Sequence, residues 1–387
     1  MKLAVISHAY QEQRYRATLR RMAKEADVEL CLIHPAIYKG ATFAGNEAGP
    51  MKSIAVPVRF GSRQGAFLYH AAALSRALDQ MRPDLILHEQ EVYTLGAAQI
   101  TAVARQRSIP LVQFVWENVD RSLALPRRLI RRYVLSRTRA LIAGSNRAAK
   151  VHRDWGFRGP IAIIPQMGVN LTQHCGPRQR DVDILKVCFV GRLVRGKGID
   201  CLLGAIAELM RRGVSLLCTV AGEGPELESL RGCVRAFGIE SAAHFCGQLS
   251  EDAVRDLLRA SDVLVLPSRR TPAWQEQFGL VLTEAMAEGA VTVGSRTGAI
   301  PEVIGCQELL FEEDDVGALA AILARLATDT DFYVGCQKTL WTRARDLYSA
   351  KVLAAARVRF LRAVLDEVGS RVAGEPVTGR RLEWRLR

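Results

Sequence analysis

Long apolar runs are missing from this chain of 387 residues. Nowhere do eighteen apolar residues follow one another, which excludes a membrane-spanning helix by length. Metal-ligand spacings are missing as well. The nine cysteines are scattered and odd in number, with no Cys-x2-Cys pair and no Cys/His ligand spacing. They suit neither a zinc ribbon nor a disulfide framework. Cys31, Cys188, Cys218 and Cys246 lie in apolar runs and read as reduced core residues of a cytoplasmic protein. No internal repeat is present. No nucleic-acid-binding module appears, and no basic platform interleaved with aromatics, so a nucleic acid partner is not expected. The opening Met1-Lys2-Leu3-Ala4-Val5-Ile6-Ser7 reads as a first buried strand and not as a leader peptide.

Acidic residues are scarce in one half only. Residues 1–180 hold 27 Lys and Arg against 12 Asp and Glu, a net +15, while the remainder holds 26 against 28. A cation-rich first half points to an anionic partner, a membrane surface or a phosphorylated acceptor, weighed evenly against a plain solvated face. Pro126-Arg127-Arg128-Leu129-Ile130-Arg131-Arg132-Tyr133-Val134 sharpens this. Its apolar residues form one helical face and its arginines the other, which suits a core-packed helix with a solvated basic face first and a helix lying on an anionic membrane second.

What is present is alternation. Short apolar runs at 3–7, 28–33, 84–88, 111–115, 140–143 and 161–164 read as strands. Amphipathic stretches at 15–25, 66–80, 94–106, 126–137 and 148–155 read as helices. Strands buried on both faces read as unbroken apolar runs, so parallel sheets are expected. Residues 38–65 are glycine-rich and read as a loop excursion with a strand near 54–58. A second series follows, with strands at 187–190, 215–220, 244–245, 262–266 and 291–294, and helices at 199–211, 225–237, 251–259, 280–288, 331–346 and 349–368. The polar stretch 171–183 carries Gly176-Pro177 and reads as a linker. The fold class is α/β, with Rossmann-like domains at 1–175 and 184–348, a terminal helix at 349–368 and a basic tail at 369–387.

Chemistry concentrates in Gln275-Glu276-Gln277-Phe278-Gly279-Leu280-Val281-Leu282-Thr283-Glu284. This stretch follows the apolar run 262–267 and leads into an apolar-periodic run, 278–288, that reads as a helix. Ligands of α/β sheets sit at such strand-to-helix junctions. A helix N-terminus with glycine in its first turn offers free N–H groups to an anion. If the segment were wholly helical, eight residues would span roughly 12 Å. That is the reach from a sugar, past a diphosphate, to a ribose. Carboxylates accept hydrogen bonds from hydroxyls at both ends. The bland alternative is a pair of solvated helix charges, since two glutamates eight apart are common. The neighbouring Leu264-Val265-Leu266-Pro267-Ser268, Glu284-Ala285-Met286-Ala287-Glu288-Gly289 and Gly298-Ala299-Ile300-Pro301-Glu302-Val303 argue against it.

Together these segments resemble the E-x7-E region of the retaining GT-B glycosyltransferases of family 4. A second element supports the resemblance. Phe189-Val190-Gly191-Arg192-Leu193-Val194-Arg195-Gly196-Lys197-Gly198 follows a strand, opens a helix, and is similar to the family's G-R-L-x3-K-G element. Cations at a helix start oppose its dipole unless an anion lies between. The resemblance implies that Arg192 and Lys197 neutralise the departing diphosphate, that Glu276 holds donor-sugar hydroxyls and that Glu284 holds ribose hydroxyls. It places Gly191, Gln277, Phe278, Gly279 and Leu280 beside sugar and phosphate. Val220-Ala221-Gly222-Glu223-Gly224-Pro225 begins like a dinucleotide fingerprint, but Leu227 stands where the third glycine belongs. The resemblance makes Gly222 part of a turn near the nucleotide, and Gln248 and Leu249 part of a turn lining the base. Glu302 has a structural character. Asp181-Val182-Asp183 matches a metal-binding pattern but has no supporting ligands, so no metal is expected.

The first half departs from the commoner pattern. Many members carry Gly-Gly after the first strand, where this chain has Ser7-His8-Ala9-Tyr10-Gln11. Many carry a His after the fourth main strand, where this chain has Trp116-Glu117-Asn118. His8, Glu89, Glu117 and Asn118 end strands and become the acceptor-side candidates, with loop-capping as the competing role.

The resemblance implies a GT-B architecture, two Rossmann-like domains facing across a cleft with the last helix returning to the first domain. It implies retaining transfer of a sugar from a UDP- or GDP-type donor to an acceptor hydroxyl, without cofactor or metal. The setting would be cytoplasmic, at the inner face of the membrane in one version, and the product a cell-surface polysaccharide, glycolipid or related glycan. Acceptors of glycan, lipid-linked glycan and small-molecule type all fit. Rival readings are a 2-epimerase or phosphorylase on the same fold, and a non-catalytic scaffold subunit.

Overall fold

In the computed structural model the apolar runs become parallel strands in two sheets. The structure describes residues 1–42, 49–61, 65–180, 183–372 and 383–385. The chain divides into one unit of Met1–Gly168 with Ala350–Arg387 and a second of Val169–Ser349.

The first unit is built on β1 (Lys2–Ser7), β2 (Glu29–Pro35), β3 (Lys52–Val56), β4 (Leu85–Glu89), β5 (Leu111–Val115), β6 (Ala140–Ala143) and β7 (Ile161–Ile163). Their order is β3-β2-β1-β4-β5-β6-β7, and every pair is parallel. Helices α1 (Ala17–Met22), α2 (Ala71–Met81), α3 (Leu95–Gln106), α4 (Leu125–Arg137) and α5 (Asn146–Asp154) connect them. Side chains of a strand alternate between faces. Leu3 and Val5 therefore join one core with α1 and the Ala350–Val372 helix, while Ala4 and Ile6 join another with α2 and α3. Thr94 and Ser145 cap α3 and α5 by accepting from Ala97 N and Ala148 N, each satisfying an otherwise orphaned donor.

The second unit holds β8 (Leu185–Val190), β9 (Leu216–Ala221), β10 (Ala243–Gly247), β11 (Val263–Leu266), β12 (Val291–Ser295) and β13 (Leu310–Phe311). The order β10-β9-β8-β11-β12-β13 is parallel throughout. Helices α6 (Ile199–Arg211), α7 (Leu227–Phe237), α8 (Glu251–Ala260), α9 (Leu280–Ala287), α10 (Ile300–Ile304), α11 (Val316–Thr328) and α12 (Thr330–Leu347) surround it. The strand order reverses between β8 and β11, and that reversal opens a crevice at their carboxyl ends.

The structure departs from the sequence expectations in several places. The 171–183 stretch is no free linker, because its described part is strapped to the second unit. Cys175 N donates to Glu288 Oε2, Gly176 N to Ala287 O, and Arg178 to Ser261 O and Asp262. Arg180 donates to Leu326 O and Ala327 O. Its polar composition serves α-helix carboxyl ends and not solvent alone. Asp181 and Val182 lie outside the described residues. Helices α10 and α11 fall where none is expected. The terminal helix runs past 368 to Val372, and Glu383–Arg385 pairs in parallel with β7, so part of the expected tail is regular; the rest lies outside the described residues. Cys246 is exposed on the edge strand β10, whereas Cys31, Cys188 and Cys218 are buried.

One buried ion pair ties the last helix to the first sheet. Arg357 Nη1 lies 3.3 Å from Glu89 Oε1, with neither side chain exposed to solvent. Tyr10 Oη donates to the same oxygen at 3.0 Å, and Gln166 Nε2 donates to Glu89 Oε2 at 2.8 Å. Arg357 also donates to Pro165 O and stacks over Phe114. Removing one partner of such a pair strands a charge away from water. Arg357→Leu is therefore predicted to cost about 3–5 kcal/mol, and Arg357→Leu with Glu89→Gln clearly less. Urea unfolding of the two variants measures the difference.

Candidate functional site

Two loops leave the second sheet at its point of reversal. Residues 191–198 follow β8 and residues 267–279 follow β11. Backbone contacts hold each in place. Arg269 N donates to Gly196 O at 2.8 Å. Gly198, at φ +65°, lies against the Pro267 carbonyl so closely that a Cβ would overlap it. Behind the second loop, Ala299 N donates to Glu276 O at 3.0 Å. Gly298, at φ +55°, packs onto the Glu276 backbone with no room for a side chain. The 297–302 loop thus supports the backbone of the first glutamate of the E-x7-E pattern.

These constraints bring Lys197 and Glu276 together across 79 residues, with Nζ 2.6 Å from Oε2. Ser268 Oγ donates to the same oxygen at 3.0 Å. The Lys197 ammonium also sits 5.0 Å from the centroid of the Trp274 ring. The side chains are only 15% and 9% exposed, so the pair is partly withdrawn from water but still reachable. Ser268 and Trp274 are the residues that sequence reasoning missed. The signal for Ser268 was its position directly after the apolar run of β11, where side chains reach the crevice.

The other donor-side residues fall on the same edge. Phe278 is buried with its ring edge-on to Tyr348 at 5.6 Å. Gly279, at φ +77°, caps α9, and Leu280 is the first helical residue. Helix α9 begins at Leu280, where the 280–288 reading puts it, so 276–279 is loop and the all-helical spacing does not apply. Glu284 is half-buried in the second turn of α9, and Gln277 is half-buried in the loop. Arg192 is exposed, and among the described residues no ion pair engages it.

The glycines of the fingerprint-like segment have a packing reason. Gly222 at φ +137° and Gly224 at φ +159° press against the carbonyls of Gly191 and Leu193, where any Cβ would collide. Gly191 N donates to Ala221 O, Leu193 N to Glu223 O and Gly222 N to Gly247 O, lacing three strand ends into one rim. Gln248 is exposed and Leu249 half-buried beside that rim.

In the first unit the acceptor-side candidates separate. Glu89 is consumed by the Arg357 network and is a structural residue. Glu117 and Asn118 are also buried. Glu117 accepts from Tyr93 Oη at 2.7 Å and pairs with Arg121 at 2.6 Å, and Asn118 O accepts from Arg147. Loop-capping therefore describes both well. His8 packs against Tyr38 and Phe67 with ring centroids at 4.9 and 5.6 Å. Burial, helped by Lys39, lowers its pKa to about 4, so it is a neutral imidazole at physiological pH. Glu91 emerges beside them. It accepts from Trp116 N and Glu117 N through Oε1, while Oε2 is buried without a partner. Burial and the neighbouring Glu117 charge raise its pKa to about 8.

Two family models match the chain. Glycosyltransferase Family 4 covers residues 12–173, and Glycosyl transferases group 1 covers residues 178–339. D-inositol 3-phosphate glycosyltransferase of Corynebacterium jeikeium is 34% identical over 38% of this chain and 36% of its own length. Glycogen synthase of Mycobacterium tuberculosis (strain H37Rv) is 32% identical over 40% of this chain and 36% of its own. The chain thus spans little more than a third of the length of these curated relatives. Among solved structures, sucrose-phosphate synthase from Thermosynechococcus elongatus superposes with a TM-score of 0.76 at 18% identity, covering 95% of this chain and all of that one. Anabaena HepE in complex with UDP and glucose gives 0.70 at 17% identity, covering 94% and 100%. At these identities the likeness shows the fold.

The Glu91 carboxyl predicts a pH dependence. Its pKa is higher in the folded chain than in the unfolded one, so its contribution is fully present below about pH 4.5 and is lost as pH rises through about 8. Glu91→Gln keeps the acceptor for Trp116 N and Glu117 N and removes the titration. The variant should melt above the wild type at pH 8 and together with it at pH 5. Thermal melts at the two pH values check this.

Proposed function

Because the chain belongs to the family 4 glycosyltransferases and has the GT-B fold, we propose that it is a retaining glycosyltransferase. It moves a sugar from a nucleotide diphosphate sugar to an acceptor hydroxyl, in synthesis of a bacterial cell-surface polysaccharide, glycolipid or related glycan. The observation that carries this reading is the Lys197–Glu276 pair at the sheet reversal, assembled from two clamped loops. Nucleotides bind at such reversals in open α/β sheets. Anabaena HepE, which shares the fold, is in complex with UDP. That supports a UDP-type donor here, with GDP as the next choice.

Each residue then has a role. A departing nucleoside diphosphate gains negative charge, so cations already in place favour the transition state over the ground state. Lys197 and the exposed Arg192 supply that charge, joined by the N-terminus of α9. Without donor, Glu276 neutralises Lys197. With donor, the lysine turns to phosphate and the glutamate accepts from sugar hydroxyls, while Ser268 keeps its carboxylate oriented. Glu284 takes the ribose hydroxyls. Attack from the face of the leaving group lets a phosphate oxygen take the acceptor proton, so the scheme uses no protein nucleophile, metal or cofactor. The cytoplasm is the expected compartment, supported by nine free cysteines. The cation-rich first half favours an anionic membrane surface as a further partner.

A ligand that binds only the folded state raises the melting temperature, by about 2.7 kcal/mol of stabilisation at a hundredfold excess over Kd. The wild type should be stabilised by one of UDP, GDP, ADP and dTDP, and Arg192→Ala and Lys197→Ala should lose the effect. No shift with any nucleotide at millimolar concentration would favour the scaffold reading. Glu276→Ala should fold and lose about a hundredfold or more in turnover; unchanged turnover would remove Glu276 from the site. Sugar release that needs no acceptor would point to an epimerase.

A further inference from the structure

The loop between β11 and Glu276 is built to present one aromatic side chain. Thr271-Pro272-Ala273-Trp274 closes on itself. Trp274 N donates to Thr271 Oγ1 at 2.9 Å, Thr271 Oγ1 donates to Trp274 O at 3.0 Å, and Thr271 N donates to Trp274 O at 2.8 Å. Pro272 stands second in this turn, where its fixed φ fits. The stem is stapled on both sides. Arg269 donates to both carboxylate oxygens of Asp200, at the start of α6, each at 2.7 Å, and it also pairs with Asp314. Arg270 N donates to Glu313 Oε2 at 2.8 Å.

The ring so presented lies on the other loop, 191–198. A Cβ on Gly196 would meet Cε3 and Cζ3 of Trp274 at 3.2 and 3.3 Å, tighter than ordinary contact, so the indole settles on bare backbone. The next residue is Lys197, whose ammonium lies 5.0 Å from the ring centroid. Lys197 therefore has two partners of different kinds, the Glu276 carboxylate at 2.6 Å and the indole face. A cation is drawn to an aromatic face by the ring quadrupole, and the ring carries no net charge. An indole can hold an ammonium beside an arriving anion without repelling that anion, whereas a carboxylate in the same place repels it. Trp274 is half-buried, so its contact with the ammonium is partly shielded from water.

We propose that Trp274 is a positioning residue of the donor site, which keeps the Lys197 ammonium in place for the diphosphate once the lysine leaves Glu276. This rests on the donor-site reading given under the proposed function. In the donor-free chain the Glu276 carboxylate already fixes the lysine, and the ring adds little. In the donor complex the lysine has left that carboxylate, and without the ring it regains the rotamer freedom of a four-carbon chain. Loss of the ring therefore weakens the donor complex and leaves the free chain as it was. An indole that merely filled the space above Gly196 would be replaced by any apolar side chain of similar reach.

Isothermal titration of the full chain and of Trp274→Leu and Trp274→Phe tests it, with whichever of UDP, GDP, ADP and dTDP stabilises the wild type. Trp274→Leu should weaken binding about five- to thirtyfold, as loss of a partly desolvated cation–aromatic contact does. Trp274→Phe keeps a ring face and should stay within about twofold of the wild type. Thermal melts without nucleotide should match the wild type for both variants, which separates positioning from folding. A leucine variant that binds like the wild type overturns the proposal and leaves the donor site standing. So does an equal loss in both variants, since the ring face would then be irrelevant. A leucine variant that melts well below the phenylalanine one without nucleotide makes the ring a packing residue and overturns it too. A wild type that binds none of the four nucleotides removes the donor-site reading, and this proposal with it.

Discussion

The salt bridge between Lys197 and Glu276 exists only because two loops are locked backbone to backbone. Gly198 lies on the Pro267 carbonyl, and Gly298 lies on the backbone of Glu276. Neither contact leaves room for a side chain. A lysine and a glutamate placed by flexible loops would spend most of their time solvated, because surface ion pairs contribute about 0–1 kcal/mol. Here the backbone fixes both Cα positions first, and Ser268 and Trp274 limit the rotamers that remain. Preorganisation of this kind is what separates charges that accelerate a reaction from charges that merely bind. The glycine rim of β8, β9 and β10 extends the same device, since Gly222 and Gly224 let three strand ends stack without side chains between them.

In the first unit the same chemistry serves a different end. Glu89 and Arg357 form a pair more deeply buried than Lys197 and Glu276, and Tyr10 and Gln166 complete its hydrogen bonds. It fastens the last helix to the sheet. Glu91, two residues on, has too few partners and too much burial to remain charged, so a neutral carboxyl faces the Glu117 carboxylate. Three glutamates at the carboxyl ends of the neighbouring strands β4 and β5 thus meet three different surroundings.

Much of the fold was legible. Parallel strands buried on two faces announce themselves as apolar runs, and β5, β6 and α6 fall where the pattern puts them. The donor-side residues were legible because their motifs combine glycine at positions of backbone contact with charge at fixed distance. What stayed hidden is non-local. Arg357 lies 268 residues from Glu89, and nothing near either residue announces the pair, so Glu89 looked like a candidate for the acceptor. The strap at 174–180 looked like a linker because polar residues that cap helix ends have the same composition as polar residues in water. Helix α9, by contrast, starts at Leu280 as the 280–288 reading puts it, with Gly279 in a left-handed conformation as its cap.

The central claim is that the crevice between β8 and β11 is the donor site. Amide hydrogen exchange of the full chain with and without UDP tests it most directly. The account predicts added protection in residues 191–198 and 274–284, with the sheet core unchanged. Protection confined to other segments, with both loops exchanging as before at saturating nucleotide, would contradict it.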